Sequence, residues 1–327
     1  MKVIIPLAGK GTRLLPLTKR TPKPLIKVAG RPVMDYVMDK LEGLDVEELI
    51  FITGHLKEQV EAYVRSHYRQ PARFIEQQVQ DGTAGAVGLA EPHVDGPVLI
   101  IFVDTLFDAD LTLINQVDAD GIIWAKEVED YQRFGVIVTD AARYMQRIVE
   151  KPSEPVSRLA NIGLYYIRDW RTLFEGIAHV KRQPPLRGEW FLTDAFQYMV
   201  DQGRKILTAD VGGWYDCGKI ETLLETNLHL LNEGRARRPP AKPGVTVIDP
   251  VYVAPGVHLE RCSIGPNVSI DEGTVVRTST IREGLVGSGV RVSGSTIERC
   301  LIGDGARIDD RKLANMIATK AEVARAP

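Results

Sequence analysis

The chain has 327 residues, enough for two domains with a substantial apolar core. Acidic and basic side chains nearly cancel, and the formal net charge of −2 gives no reason to expect binding to nucleic acid or to an anionic membrane. The three cysteines (Cys217, Cys262 and Cys300) lie far apart without metal-site spacing, which argues against a disulfide framework and indicates a reducing compartment.

The distribution of apolar residues along the sequence gives no indication of a membrane protein. No stretch approaches ~18 uninterrupted apolar residues, and the first residues lack the apolar run and small-residue cleavage site of a signal peptide. We therefore expect a cytoplasmic protein without a membrane partner.

A strand predicted over 2–7 leads into a glycine-rich loop, Ala8-Gly9-Lys10-Gly11-Thr12-Arg13, which is followed by Pro22-Lys23-Pro24-Leu25. Glycines let backbone N–H groups face an anion, and Arg13 and Lys23 add positive charge. A bare Gly-x-Gly after a strand is usually only a tight turn. The loop also differs from a dinucleotide fingerprint, because Leu14 stands where that motif needs glycine, and no Gly-Lys-Ser/Thr follows for a P-loop.

Strands and helices alternate in the first part of the chain, which predicts a doubly wound, mostly parallel α/β sheet. Ligands of such sheets bind beyond the carboxyl ends of the strands, where the glycine loop, Gly82-Thr83 and Asp104 are expected. The predicted strands are 2–7, 48–53, 73–77, 98–103, 121–126, 134–139, 146–150 and 161–167, and the predicted helices are 32–43, 56–67, 83–91, 170–177, 190–202 and 219–232.

An internal repeat follows a proline-rich basic segment. Residues 234–244 break every periodicity and read as a linker between a first domain, 1–233, and a second domain, 245–310. In the second domain aliphatic anchors recur in steps of five or six, as in hexapeptide β-helix repeats, with Gly or Asn expected at the corners. We expect about three coils, and a polar helix or frayed tail over 311–327. The anchors are residues 253, 259, 264, 270, 276, 281, 286, 292, 297, 302 and 308.

Three polar positions have ordinary explanations as well as chemical ones. Asp104 ends a very apolar run, which is typical of a helix-capping turn or of a metal ligand. Asp216 precedes a predicted helix, so taken alone it reads as an N-cap. Glu150-Lys151 follows a strand, and such surface pairs are common; Asp108 and Asp110 suit capping or solvated roles.

Several motifs in order resemble the signature of the sugar-1-phosphate nucleotidylyltransferases, which make nucleotide sugars. The first is Gly-x-Gly-Thr-Arg-Leu-x-Pro-Leu-Thr followed by Pro-Lys-Pro-Leu. The repeat resembles the left-handed parallel β-helix that follows the catalytic domain in many members. The other motifs are Gln77 with Gly82-Thr83-Ala84, Asp104, Phe134-Gly135-Val136, Glu150-Lys151-Pro152, Asn161-Ile162-Gly163-Leu164-Tyr165 and Trp214-Tyr215-Asp216-Cys217-Gly218.

The resemblance implies a reaction between a nucleoside triphosphate and a sugar-1-phosphate, assisted by Mg²⁺. A phosphate monoester is largely dianionic at neutral pH, its second pKa being about 6, so no general base is needed and catalysis rests on positioning and charge neutralisation. Asp104 and Asp216 match the metal ligands, and Arg13, Lys23, Lys151 and Asp104 the catalytic residues. Mg²⁺ accepts a few carboxylates together with phosphate oxygens and water.

The resemblance also implies a division of binding roles. Gly135, Glu150, Lys151 and Asn161 match residues that bind the sugar phosphate, while Tyr165, Tyr215 and Cys217 are expected in packing roles. Gln77 is expected at the pyrimidine edge, with Gln78 and Gln80 as competitors. The residues that match nucleotide-binding positions are Leu7, Ala8, Gly9, Gly11, Thr12, Arg13, Lys23, Gln77, Gly82, Thr83 and Asp104.

The substrate identity stays open at this point. The shortened first loop resembles that of bacterial UTP–glucose-1-phosphate uridylyltransferases, and the remainder resembles thymidylyltransferases and guanylyltransferases with β-helix tails. We expect dTTP or UTP with glucose-1-phosphate. The alternatives are a GTP-using mannose-1-phosphate guanylyltransferase, a catalytically silent subunit that binds nucleotide sugars, and an acyltransferase of the β-helix. The last needs a catalytic base, and His258 is the only histidine after residue 229. Open β-helix edges lead us to expect a homo-oligomer.

Overall fold

The computed structural model describes residues 1–320, in which the chain divides into two compact units. The first unit contains Met1–Gly9, Val37–Val103 and Phe107–Trp214; the second contains Lys10–Tyr36, Asp104–Leu106 and the described chain from Tyr215 onward. Up to residue 230 the elements are β1 (Lys2–Pro6), β2 (Lys27–Val28), β3 (Arg31–Pro32), α1 (Val33–Asp39), β4 (Glu48–Thr53), α2 (Lys57–His67), β5 (Ala72–Glu76), α3 (Thr83–Gly88), β6 (Val98–Ile101), β7 (Thr105–Asp108), β8 (Gly121–Glu127), β9 (Gly135–Thr139), β10 (Met145–Glu150), β11 (Leu159–Ile167), α4 (Trp170–Lys181), α5 (Leu192–Asp201), β12 (Ile206–Asp210), β13 (Gly213–Asp216) and α6 (Ile220–Leu230).

The first unit is built on a nine-stranded sheet in the order β10-β9-β11-β6-β1-β4-β5, with β8 on β11 and β12 on β8. The strands β1, β4, β5, β6, β8, β9 and β12 point one way, and only β10 and β11 run against them. The predicted mostly parallel α/β sheet is therefore confirmed. The sequence prediction missed β12, a short strand that pairs with β8 in parallel.

Both faces of this sheet are covered because alternate residues of the central strands are equally apolar. Ile4, Ile50 and Ile100 are fully buried in a cluster that includes apolar residues of α3, α4 and α5. Phe51 alternates with them and stacks on Phe74 of β5, over which the α2 side chain of Arg65 also lies. Burial on both faces is the reason that the strands read as continuous apolar runs.

The second unit contains the predicted repeat, whose parallel strands stack in the manner of a left-handed β-helix. All eleven predicted aliphatic anchors are buried in one cluster. Each coil contributes three short strands, and equivalent residues of successive coils are 16 or 17 positions apart, as in the pairs Val251 with Val268 and Val268 with Gly284. The strands are β14 (Val245–Val247), β15 (Val251–Val253), β16 (His258–Glu260), β17 (Cys262–Ile264), β18 (Val268–Ile270), β19 (Val275–Arg277), β20 (Thr280–Val286), β21 (Arg291–Ser293), β22 (Thr296–Ile302), β23 (Arg307–Asp309), β24 (Lys312–Ala314) and β25 (Ile317–Ala318).

These strands form three faces. Face A consists of β14, β17, the first part of β20, the first part of β22, and β24. Face B consists of β15, β18, the last part of β20, the last part of β22, and β25. Face C consists of β16, β19, β21 and β23.

The repeat is longer than the sequence predicted. Faces A and B each carry five stacked strands, so the expectation of about three coils was too low. The predicted polar tail was also wrong at its start, since Lys312–Ala314 and Ile317–Ala318 are strands paired with β22. The sequence did not predict these strands, because each short strand of a β-helix needs only one or two apolar residues. The rest of the predicted tail, 321–327, lies outside the described residues.

The corners of the β-helix use left-handed backbone conformations, as the glycines suggested, but not always with glycine. One corner is glycine in every coil, at Gly256, Gly273, Gly289 and Gly305. At the other two corners the residues with positive φ include Arg, Thr, Glu and Asp as well as Gly and Asn. The expectation of Gly or Asn at every corner was therefore wrong. The side-chain strain is of the order of 1–2 kcal/mol per residue, which the stacked strands on either side can offset.

Within the second unit, α6 and the segment 10–36 pack against the β-helix. Helix α6 contacts β2, β20 and β22. Beyond α6 a π-type turn spans Leu231–Arg235, and within it Glu233 and Gly234 leave helical geometry. Arg237, in the predicted linker, accepts a backbone hydrogen bond from Val253 at 2.9 Å and donates one to Val251 at 2.8 Å. The compact unit thus includes residues on both sides of the predicted linker.

Within residues 1–320, no helix is long and apolar enough to cross a membrane. The three cysteines are free and buried. Burial raises the pKa of the Cys217 thiol to about 12, which fits the packing role expected for this residue.

The inward anchors should carry the stability of the β-helix. Ile281 on β20 is fully buried, so we expect Ile281→Ala to lower the free energy of unfolding by about 2–5 kcal/mol, and Ile281→Val by about 0.5–1.5 kcal/mol. Urea denaturation followed by circular dichroism measures both. The control is Thr296→Ala on the outward side of the next coil, where a change within about 0.5 kcal/mol is expected. Equal losses in Ile281→Ala and Thr296→Ala would contradict the assignment of Ile281 to the core.

Candidate functional site

The glycine-rich loop follows β1 in the first unit. The Leu7 N–H donates to the Ile52 carbonyl at 2.7 Å, and Leu7 and Ala8 are buried. A Cβ added to Gly9 would meet no atom within 4 Å, and Gly9 has no left-handed φ. Neither packing nor backbone geometry therefore requires glycine at this position.

The part of the loop that belongs to the second unit has a different constraint. Gly11 has φ of 61°, and an added Cβ would lie 2.9 Å from Thr18 Cγ2. The Thr18 hydroxyl donates to the Gly11 carbonyl at 2.9 Å and so fixes this turn. Thr12 and Arg13 follow in a 3₁₀ turn, Thr12–Leu14, with both side chains exposed. The Arg13 guanidinium is thus presented to solvent by a rigid turn.

Lys23, between two prolines, begins a later 3₁₀ turn, Lys23–Leu25. Its Nζ lies 3.2 Å from the Asp104 Oδ2, within the second unit. The Asp104 side chain is 54% exposed, so the ion pair is accessible to a charged ligand. Such exposed pairs contribute about 0–1 kcal/mol to stability, and a phosphate could replace the carboxylate as the partner of Lys23 at small cost.

The two predicted metal ligands lie at neighbouring backbone positions. Strand β7 begins directly after Asp104, and strand β13 ends at Asp216. The two strands form a two-stranded sheet. The Cys217 N–H donates to the Asp104 carbonyl at 2.9 Å. Residues more than a hundred positions apart in sequence are thereby brought side by side. Together Asp104 and Asp216 could supply two carboxylates to a divalent cation.

The capping explanation for Asp216 is not the one observed. The Asp216 Oδ1 accepts a hydrogen bond from the Gly218 N–H at 2.7 Å, whereas α6 begins at Ile220 with Lys219 as its N-cap. Asp110 does have the predicted capping role, accepting from the Thr112 N–H at 2.9 Å. Among the described residues there is no group of three or more His, Cys, Asp or Glu side chains able to hold a metal ion. The remaining ligands of a cation at Asp104 and Asp216 would therefore be phosphate or water oxygens.

The predicted base-recognition residues lie together in the first unit. Gln77 is buried, and its Nε2 donates to Asp81 Oδ1 at 2.9 Å and to the Gly82 carbonyl at 3.2 Å. These bonds fix the orientation of the Gln77 amide and leave its Oε1 as the group that can accept from a ligand. Gln80 instead donates to the Ala8 carbonyl at 2.7 Å.

Gly82 and Thr83 have structural roles that the sequence did not suggest. A Cβ on Gly82 would lie 2.4 Å from the Trp190 carbonyl oxygen, so glycine is needed for the close approach of the chain before α5. The Thr83 hydroxyl accepts from the Leu192 N–H at 2.9 Å, at the start of α5. Both residues connect the predicted base-binding turn to the N-terminus of α5.

Glu150 and Lys151 form a polar cluster with α5, also within the first unit. The Lys151 Nζ lies 3.4 Å from Glu150 Oε1 and above the Phe191 ring, 4.6 Å from its centroid. The Thr193 hydroxyl donates to Glu150 Oε2 at 3.1 Å. Burial raises the pKa of Glu150, while Lys151 and Thr193 act in the opposite direction. A desolvated carboxylate held in this way is a strong acceptor for ligand hydroxyl groups.

Gly135 and Asn161 complete this cluster. The Asn161 Nδ2 donates to the Gly135 carbonyl at 2.7 Å, and the Tyr165 hydroxyl donates to Asn161 Oδ1. A Cβ on Gly135 would lie 2.5 Å from Asn161 Nδ2 and 2.9 Å from Glu150 Oε2. Glycine at this position is therefore necessary for the two polar side chains to approach the strand.

The sequence analysis missed the contribution of α5 to this cluster. Thr193 and Phe191 contact Glu150 and Lys151 directly, and Trp190 holds the Gly82 turn. Tyr165, expected only in packing, is buried but orients the amide of Asn161. A signal was present, because Thr193 is a polar residue in the buried first turn of an amphipathic helix.

In the β-helix, His258 does not have the setting of a catalytic base. It lies exposed at the start of β16 on face C, with Nε2 3.9 Å from Glu260 Oε2. The residues that surround it on this face are mostly charged and exposed, such as Arg277, Arg291 and Arg307. No observation here favours the acyltransferase hypothesis.

The model of the Nucleotidyl transferase family matches residues 2–233. The Bifunctional protein GlmU of Methanococcus aeolicus is 37% identical over 231 residues, which are 71% of this chain and 54% of that protein. The UTP–glucose-1-phosphate uridylyltransferase AglF of Haloferax volcanii is 31% identical over 243 residues, which are 71% of this chain and 98% of the relative. The chain thus spans about half the length of the GlmU relative.

Two solved structures share the fold. UDP-glucose pyrophosphorylase, solved in complex with UDP-glucose, has a TM-score of 0.65 and 24% sequence identity, covering 71% of this chain and 98% of that chain. A putative glucose-1-phosphate thymidylyltransferase from Bacillus anthracis has a TM-score of 0.62 and 26% identity, covering 74% of this chain and 98% of that chain. The chain therefore belongs to the nucleotidyl transferase family, in keeping with the resemblance of its motifs to sugar-1-phosphate nucleotidylyltransferases.

Proposed function

We propose that the protein transfers a nucleotidyl group from dTTP or UTP to a sugar-1-phosphate, with glucose-1-phosphate as the favoured acceptor. The observation that carries this proposal is the grouping of Lys23, Asp104 and Asp216 from three separate parts of the sequence. A cation of the chain, two carboxylates and a rigid turn bearing Arg13 suit a triphosphate better than a neutral ligand.

The proposed reaction is an in-line displacement. An oxygen of the sugar phosphate forms a bond to the α-phosphorus of the triphosphate, the bond from that phosphorus to the bridging oxygen breaks, and pyrophosphate leaves. Because the attacking phosphate is already an anion, the chain need not remove a proton. Its own residues reduce charge repulsion: Arg13 and Lys23 toward the triphosphate, and Lys151 toward the sugar phosphate.

Mg²⁺ fits the donor set proposed for it. Asp104 and Asp216 would hold the cation, which when bound supplies positive charge to the phosphate oxygens. The Lys23 ammonium, 3.2 Å from Asp104, keeps one of these carboxylates compensated in the unliganded chain.

The sugar side of the proposal rests on the cluster around Glu150. The Glu150 carboxylate and the Asn161 amide are oriented by Thr193 and Tyr165, so they are prepared to bind sugar hydroxyl groups. Lys151 is a point charge on a long stem, which suits a phosphate that changes position during the reaction.

A pyrimidine nucleotide is favoured by the environment of Gln77. The amide orientation presents Oε1 as an acceptor, which suits the N3–H donor of uracil and thymine; guanine carries a comparable N1–H donor, so the preference over GTP comes from the relatives. The naming of AglF as a UTP–glucose-1-phosphate uridylyltransferase and of the Bacillus anthracis structure as a thymidylyltransferase supports the same choice. A guanylyltransferase acting on mannose-1-phosphate is the alternative within the family, and a silent subunit is disfavoured because all five charged residues (Arg13, Lys23, Asp104, Lys151 and Asp216) are present.

Three further assignments belong to this proposal. We assign residues 1–233 to the catalytic domain, 234–244 to the linker and 245–310 to the β-helix, which the last two strands extend to Ala318; the family match over 2–233 supports the first assignment. The protein assembles as a homo-oligomer through the β-helix. It acts in the cytoplasm, a reducing compartment in which free thiols persist.

A substrate matrix tests the function. The purified chain is assayed for pyrophosphate release with UTP, dTTP, GTP, CTP and ATP, each against glucose-1-phosphate, mannose-1-phosphate and N-acetylglucosamine-1-phosphate in the presence of Mg²⁺. We expect the highest kcat/KM with a pyrimidine triphosphate and glucose-1-phosphate. Highest activity with GTP and mannose-1-phosphate would overturn the substrate choice. Absence of turnover from folded protein, with nucleotide binding detected by calorimetry, would instead support the silent subunit.

The carboxylates are tested by charge-neutral substitution. Asp104→Asn and Asp216→Asn should each lower kcat by about a hundredfold or more and raise the Mg²⁺ concentration required for activity, because one anionic ligand is lost. The control is Asp108→Asn at the other end of β7, where the side chain is exposed and the activity should stay unchanged. Wild-type activity at wild-type Mg²⁺ concentrations in either variant would remove that residue from the metal site.

Glu150 should show opposite effects on stability and on activity. Burial raises the pKa of Glu150 in the folded chain above the unfolded value of about 4.3. At a pH between the unfolded and the folded pKa, the folded state therefore binds more protons than the unfolded state. Stability is therefore lost as the pH rises through this interval, and Glu150→Gln should remove that loss. At pH 8 we expect the variant to be more stable than the wild type in urea, and at pH 4 equally stable.

The same substitution should weaken the enzyme. Glu150→Gln replaces a charged acceptor by a neutral one, and kcat/KM for the sugar phosphate should fall about tenfold or more. The matched control is Glu127→Gln, an exposed residue at the end of β8, which should alter neither property. A pH-independent stability difference, or unchanged kcat/KM, would contradict the role assigned to Glu150.

A further inference from the structure

The segment 10–36 carries much of the proposed triphosphate site, and its second half lies against the β-helix within the second unit. Gly11, Arg13 and Lys23 precede a two-residue turn, Ala29-Gly30, that joins β2 to β3. Both turn residues have positive φ, 45° and 82°, as in a tight type I′ hairpin. What holds this turn also limits the movement of Lys23, which lies only six residues before Ala29.

A buried polar network fixes the turn. The Ala29 N–H donates to Asn227 Oδ1 at 2.9 Å, and the Ser269 hydroxyl of β18 donates to the same oxygen at 2.6 Å. The Asn227 Nδ2 donates to Asn267 Oδ1 at 2.7 Å, and the Asn267 Nδ2 donates to the Leu224 carbonyl at 3.1 Å. One fully buried asparagine of α6 thereby joins the hairpin turn to a strand of the β-helix.

Tyr252 of β15 makes a second contact with the same turn. A Cβ added to Gly30 would lie 2.1 Å from Cζ of Tyr252, so the tyrosine ring lies directly against the Gly30 backbone. Only glycine permits both the left-handed φ and this close approach. Gly30 and Tyr252 therefore act as a matched pair.

A charged contact lies two residues before the turn. The Lys27 Nζ is 3.4 Å from Glu272 Oε1 and 3.7 Å from Asp271 Oδ2. Asp271 is buried, and burial raises its pKa to about 6, so at neutral pH the carboxylate is charged and attracts Lys27. Beside it, Leu17 and Leu25 face Leu285 and Leu301 across a cavity of about 70 Å³.

The composition of the β-helix explains why this face receives the segment. The outward central positions of face B are Tyr252, Ser269, Leu285, Leu301 and Ile317, of which the last four are buried. The equivalent positions of face A are Thr246, Ser263, Thr280, Thr296 and Lys312. Face B thus carries a column of large apolar side chains that point outward, and α6 and the segment 10–36 lie against its Ser269, Leu285 and Leu301 positions.

We propose that face B of the β-helix is a positioning surface for triphosphate binding, with Asn227, Ser269 and Tyr252 as positioning residues. This inference rests on the proposed nucleotidyl transfer. The three residues touch no substrate; they hold the turn Ala29-Gly30, and through it the preceding rigid run with Lys23. Their loss leaves Lys23 and the glycine loop free to sample arrangements that bind the triphosphate less well.

The experiment compares two serines of the β-helix that are equally buried but have different hydrogen-bond partners. Ser269 and Ser279 are each 5% exposed and lie in the same β-helix. Ser269 bonds to Asn227, whereas Ser279 donates to the Arg277 carbonyl at 2.6 Å and accepts from the Ser295 N–H at 3.0 Å, within the coils. Ser269→Ala and Ser279→Ala should therefore lower the melting temperature similarly. Only Ser269→Ala should raise the KM for the nucleoside triphosphate, by about tenfold, with the KM for the sugar phosphate unchanged.

A second pair of variants keeps the test decisive if Ser269→Ala folds poorly. Tyr252→Phe keeps the ring against Gly30 and should retain the wild-type KM for the triphosphate, whereas Tyr252→Ala should raise it. Equal Michaelis constants for the triphosphate in Ser269→Ala and Ser279→Ala, or in Tyr252→Ala and Tyr252→Phe, would overturn the positioning role alone. A wild-type chain without turnover for any substrate pair would overturn the proposed function, and the positioning role with it.

Discussion

The arrangement of the second unit depends on the hydrogen bonds of one buried amide. Asn227 is fully buried, and an unsatisfied amide at such a position costs several kcal/mol. Its oxygen accepts from Ala29 and Ser269 and its nitrogen donates to Asn267, so the cost is offset only when the hairpin turn, α6 and the β-helix are all in place. An apolar residue would pack as well but would fix no register. The amide therefore selects one arrangement of three chain segments, and with it the position of the segment that carries Lys23.

The ion pairs proposed for catalysis have a different character, because they are weak enough to be exchanged. Lys23 and Asp104 are 3.2 Å apart with the carboxylate half-exposed, and Lys151 and Glu150 are 3.4 Å apart. With its half-exposed carboxylate, the Lys23–Asp104 pair adds about 0–1 kcal/mol, so a phosphate can replace Asp104 as the partner of Lys23 without unfolding the site. Glu150 is more buried, and its raised pKa indicates that its charge is held at some expense of stability. Strong hydrogen bonds thus fix the backbone, while the ion pairs proposed to bind the ligand are weaker.

The sequence predicted what depends on periodicity and on local motifs. The alternation of strands and helices predicted the sheet, and every predicted anchor of the β-helix is buried, since one inward aliphatic residue per strand is a strict geometric requirement. Contacts between distant segments could not be predicted. Thr193 and Tyr165 orient Glu150 and Asn161 from α5 and β11, and Gly82 is glycine because Trp190 approaches it. The number of coils was underestimated, because the strands of the first and last coils carry fewer aliphatic residues than those of the central coils.

The outward residues of the β-helix contain information that the inward anchors do not. A β-helix that was joined to the chain by a linker alone, without packing contacts, would have polar residues on all three faces, as faces A and C largely do. Leu285, Leu301 and Ile317 recur at 16-residue intervals on face B alone and are buried. Exposing this column would cost roughly 1.5–3 kcal/mol per side chain, which is a large fraction of the stability of a domain. The burial of Leu285 and Leu301 depends on the cover that α6 and the segment 10–36 provide, so loss of this cover would destabilise the β-helix and release the segment that carries Lys23.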